Sequence, residues 1–98
     1  MELEKLEIIE GFLRIKFPAA GIILCNSFHE PYFEIQVGSE LLVLTVGRDF
    51  LQQVRAEDVT DRLANWGVVE ALERSRSLAV LLSAKGMEMA ERRPEVSY

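Results

Sequence analysis

Residues 32–46, YFEIQVGSELLVLTV, constrain the fold more than any other stretch of this chain. Two runs rich in aromatic and branched side chains flank Gly38-Ser39, and a glycine placed first in a two-residue loop is the signature of a type II′ hairpin turn. That turn sets the register: Val37 opposite Glu40, Ile35 opposite Leu42, Phe33 opposite Leu44. Side chains alternate along a strand, so one face collects Phe33, Ile35, Val37, Leu42 and Leu44 and has to be buried. The other face sets Glu34 beside Val43 and Gln36 beside Leu41. It is half apolar, too greasy to be left to water, and calls for a cover: a helix or another copy of the chain.

The flanking segments supply partners for this hairpin. Residues 3–16 place Leu6, Ile9 and Leu13 at helical spacing, with Ile8, Phe12 and Ile15 widening the stripe, and Pro18 ends the helix by restricting Phe17. Residues 21–28, GIILCNSF, read as a strand that turns at His29-Glu30-Pro31. Gly47-Arg48-Asp49 breaks the strand pattern and caps a short helix from Phe50 to Val54. Asp58 reads as the N-cap of the main second helix, with Asp61 in the supporting position. Val59, Leu63, Trp66, Val69 and Leu72 then step along one face, with Gly67 placed to split the helix in two. A last strand covers 77–85, and Met87 and Met89, alternating with Glu88, extend it or form a soft contact surface. The expected fold is α+β: an N-terminal helix, a three-stranded antiparallel meander, one or two helices and a final strand, with the helices on one face of the sheet. Residues 1–90 form a single compact domain, and 91–98 a polar, mobile tail.

Size and charge narrow the function. At 98 residues the chain holds one modest core. Its apolar runs, such as Leu78-Ala79-Val80-Leu81-Leu82, fall far short of the roughly 18 residues that span a bilayer. The opening Glu-Leu-Glu-Lys is acidic where an export signal is basic, and a lone cysteine suits a reducing interior, so the expectation is a cytoplasmic protein without a membrane segment. Net charge is −5, with twelve acids against six bases in 1–70 and four against five in 71–98. That balance disfavours nucleic acid, whose affinity comes from neutralised phosphates.

Candidate chemistry is sparse. Cys25 and His29 are the sole cysteine and histidine. Four residues of extended chain separate them by about 13 Å, whereas a thiolate–imidazole pair needs about 3 Å. They read as a buried thiol and a turn histidine, weak candidates for a thiol enzyme or ligand site. Zinc needs further Cys or His ligands, and no metal or cofactor is expected. No serine lies in a G-x-S-x-G turn, and the glycines form no phosphate loop. Arg74, Arg76, Lys85, Arg92 and Arg93 are the one basic concentration and carry the nucleic-acid alternative. The general order of elements is not unlike that of BolA-like and class II KH modules, but the chain lacks a G-x-x-G clamp and inserts an extra strand. Acidic secretion chaperones also begin with a helix and three strands, yet share no motif with it, and no family is assigned. The expectation is a protein–protein interaction or adaptor domain rather than an enzyme. It self-associates as a homodimer through the sheet face of Leu41, Val43, Glu34 and Gln36.

Overall fold

A computed structural model describes residues 2–25, 30–75 and 77–91. Helix α1 (Glu2–Lys16) leads into strands β1 (Gly21–Cys25), β2 (Tyr32–Val37) and β3 (Glu40–Val46). Helices α2 (Arg48–Gln53), α3 (Ala56–Asn65) and α4 (Val68–Ser75) follow, then strands β4 (Leu78–Ser83) and β5 (Gly86–Glu91). The five strands form one sheet in sequence order. β1–β2–β3 is an antiparallel meander, β3 and β4 are parallel, and β5 returns antiparallel to β4. The expected α+β architecture holds, and the sheet gains a fifth strand.

The hairpin has the register its turn demands: Val37 faces Glu40, Ile35 faces Leu42 and Phe33 faces Leu44. Gly38 takes φ +61°, a value that glycine reaches without steric cost. Val37 shares the core parity but, in the last pair before the turn, is exposed.

Parallel neighbours need a crossover, and residues 47–77 supply it with three helices. The other described connections within the sheet, β2 to β3 and β4 to β5, are two-residue turns that carry nothing across a face. One crossover covers one side. Leu6, Ile9, Phe12 and Leu13 of α1 therefore meet Phe50 and Leu51 of α2, Val59 and Leu63 of α3, and Val68 and Leu72 of α4 in a single core. Its floor is Ile22, Phe33, Ile35, Leu42, Leu44, Val46, Val80 and Leu82. The short axis of the molecule is 20 Å, the depth of two layers.

Several local devices fix the helix layer. Gly67, at φ +68°, stops α3 and starts α4, with its N–H on the Ala64 carbonyl and the Trp66 N–H on that of Arg62. Of the one or two helices expected here, the structure has two, α3 and α4, divided at Gly67. Trp66 packs edge-on against Phe50 at 5.9 Å, and the Arg62 guanidinium lies over its ring at 5.8 Å. The capping assignment needs correction: α3 begins at Ala56 with Arg55 in the N-cap position, and Asp58 sits in the first turn. Acids favour both places, because a first-turn carboxylate complements the helix dipole without capping. The short helix also begins earlier than expected, at Arg48 after Gly47.

Asp49 ties α2 to the far hairpin. Its Oδ1 accepts the Phe50 N–H at 2.8 Å and its Oδ2 accepts the Ala84 N–H at 3.1 Å, in the β4–β5 turn. Two partly buried N–H groups lose a charged acceptor in Asp49→Ala, which is expected to cost about 1–3 kcal/mol. Asp49→Asn, which keeps one oxygen, should recover part of this in urea titrations. No loss in Asp49→Ala would mean that the carboxylate does not hold the turn.

Candidate functional site

The face opposite the helices is the feature that stands out. Alternation places Gly21, Ile23 and Cys25 of β1 on it, with Tyr32, Glu34 and Gln36 of β2 and Leu41, Val43 and Thr45 of β3. β4 adds Ala79, Leu81 and Ser83, and β5 adds Glu88 and Ala90. The pairings arrange these side chains in rows across the sheet. The middle row runs Ile23, Glu34, Val43, Ala79, Ala90, and the next runs Cys25, Tyr32, Thr45, Leu81, Glu88. No described helix lies over them, since every helix contributes its buried side chains to the core on the other side.

The face is uneven. Ile23 is 60% exposed and Leu41 36%, while Val43, Leu81, Tyr32 and Thr45 are half-buried by their neighbours. Ala79 is buried although it belongs to this side, where it pairs with Val43 and stands two residues before Leu81. Over β4–β5 the small Ala79, Ser83 and Ala90 alternate with the longer Leu81 and Glu88. With strands about 4.8 Å apart and about six residues long, the platform measures about 24 by 20 Å.

The four residues expected to carry an interaction, Glu34, Gln36, Leu41 and Val43, lie together on this platform. Ile23, Tyr32 and Leu81 join them, and sequence patterning had not placed these three. Cys25 sits at the same face, half-buried and cross-strand from Tyr32. His29 lies outside the described residues, as do Arg76, Arg92 and Arg93. Among the described residues no group of three or more His, Cys, Asp and Glu side chains is arranged to hold a metal ion.

The basic concentration is not brought together in its described part. Arg74 ends α4, just before β4 begins, and Lys85 lies in the turn after β4 ends. Six strand residues separate them, about 20 Å. The platform itself carries Glu34 and Glu88 and, among its described positions, no Lys or Arg.

No family model, curated protein or solved structure matches this chain. No described helix is long and apolar enough to cross a membrane.

Proposed function

We propose that this chain is a protein–protein interaction domain that docks through the open face of its sheet. The observation that carries the reading is a platform over which no described helix lies, on which Ile23 and Leu41 stand exposed and Val43 and Leu81 half-buried. A sheet face is ordinarily either polar or covered, and a contiguous apolar patch of a few hundred Å² marks a contact surface. The whole platform measures about 24 by 20 Å, and its apolar side chains flank Glu34 and Gln36.

A surface kept for binding contributes little to the stability of the free chain. Ile23→Lys, which stands opposite Glu34, and Leu41→Lys are therefore expected to change the unfolding free energy by no more than about 1 kcal/mol, a shift of up to about 8 °C in melting midpoint. A loss above about 2 kcal/mol, typical of a buried aliphatic position, would show that the face is already covered and would overturn the reading.

A second copy and a different chain are the two occupants such a surface can take, and mass in solution separates them. A dimer that Leu41→Glu or Val43→Glu converts to monomer identifies the second copy. A wild-type monomer over the micromolar range excludes the second copy.

A further inference from the structure

We infer that the occupant of the open face is a basic amphipathic segment of another protein, whose Lys or Arg meets Glu34 among apolar contacts from Ile23, Val43 and Leu81. The inference rests on the reading of this face as a docking surface and names its partner by charge.

The platform's described charges are Glu34, in the middle row, and Glu88, in the next row on the edge strand. Its other polar groups, Tyr32, Gln36, Thr45 and Ser83, are neutral. The bases that follow β3 and β4 lie off it: Arg48 opens α2 on the helix side, and Lys85 is in the β4–β5 turn. Two copies packed face to face would set these carboxylates against apolar side chains or against each other, with no base from either platform. A carboxylate that loses water without a partner is costly, and two chains of net charge −5 repel before they touch.

A cationic partner reverses both effects. Attraction to the acidic chain speeds encounter, and an ion pair at Glu34 is strengthened when Ile23 and Val43 exclude water around it. Size points the same way. A platform about 20 Å long and 24 Å wide matches one or two helices, each about 10 Å across, rather than the side of a large domain.

The test uses the full chain and two synthetic amphipathic helical peptides of about 18 residues, one of Leu and Lys and one of Leu and Glu, followed by fluorescence anisotropy near physiological salt. The Leu/Lys peptide is expected to bind and the Leu/Glu peptide not. Glu34→Lys should weaken binding about tenfold or more, and Ile23→Ser about threefold or more, whereas Glu7→Lys and Glu73→Lys on the helix layer stay within about twofold. Equal losses in all three acid variants would reduce the binding to bulk charge and overturn the inference. A loss in Ile23→Ser with no effect of Glu34→Lys would keep the docking face and remove the basic partner. No effect of either would remove both. Peptide binding about tenfold or more tighter after deletion of residues 92–98, a gain beyond what the loss of the tail's small net positive charge gives, would make the chain's own tail the occupant. A wild-type dimer dissociated by Val43→Glu would assign the face to a second copy. Both of these outcomes contradict the inference.

Discussion

Phe50→Ala is expected to lower the unfolding free energy by about 3–5 kcal/mol, a large part of the roughly 5–15 kcal/mol that holds a domain together. Phe50 has no solvent exposure and lies in the first turn of α2, where the chain leaves β3 for the helix layer. Its ring meets Trp66 at 64° between planes, so one residue joins α2 to the end of α3 as well as filling the core. Truncation removes the transfer free energy of the ring and leaves a cavity that α1 cannot readily close. The Lys5 ammonium holds α1 to the Leu51 carbonyl of the same helix. In thermal melts the midpoint should fall by about 12 °C or more. Phe50→Leu, which refills most of the volume, should recover more than half. A loss below about 1 kcal/mol in the alanine variant would mean that this corner is not packed as described.

Gly47→Ala adds one methyl group and is expected to cost about 2–3 kcal/mol, the upper part of the range for overpacking. The backbone angles here, φ −65° and ψ 146°, suit any residue, so strain in the dihedrals plays no part. Space decides. A Cβ on Gly47 would lie 2.6 Å from the Leu82 carbonyl oxygen and 2.8 Å from Asp49 Oδ1. The same Leu82 oxygen accepts the Gly47 N–H at 2.8 Å, so the chain is tied to β4 at the point where it leaves β3 for α2. Neither backbone can retreat without losing that bond. Gly11→Ala, on the exposed side of α1 with nothing within 4 Å of a new Cβ, is the matching control and should be neutral or stabilising by up to about 1 kcal/mol. Equal melting of the Gly47→Ala variant and wild type would contradict the close approach.

These sites also show how far the sequence is readable. Gly38-Ser39 dictates a turn, the turn dictates a register, and the register alone puts Glu34, Gln36, Leu41 and Val43 on one face. The helix split is equally local, because Gly67 is the residue that enters the left-handed region at low cost. Ile23 and Leu81 were hidden for a different reason. GIILC and LAVLLS are apolar at nearly every position, so alternation cannot say which side chains face the core. Only pairing with Glu34 and Thr45 decides it. The strand Gly86–Glu91 escaped as a separate element because Met, Glu and Ala have weak strand preference. Its turn is held instead by the Ser83 hydroxyl, which accepts the Lys85 N–H and donates to the Gly86 carbonyl. The open face itself follows from topology: one helical crossover covers one side, and no local pattern in the chain announces that no described helix covers the other.

The most direct measurement is quantitative capture from nuclease-treated lysate with three immobilised baits: the wild-type chain, Ile23→Lys, and Glu73→Lys on the helix layer. The account predicts a protein partner, near stoichiometric with the wild-type bait, that is lost from Ile23→Lys and retained by Glu73→Lys. The same proteins on all three baits, or none on any while the wild type remains monomeric, would contradict the assignment of the open sheet face as the docking surface.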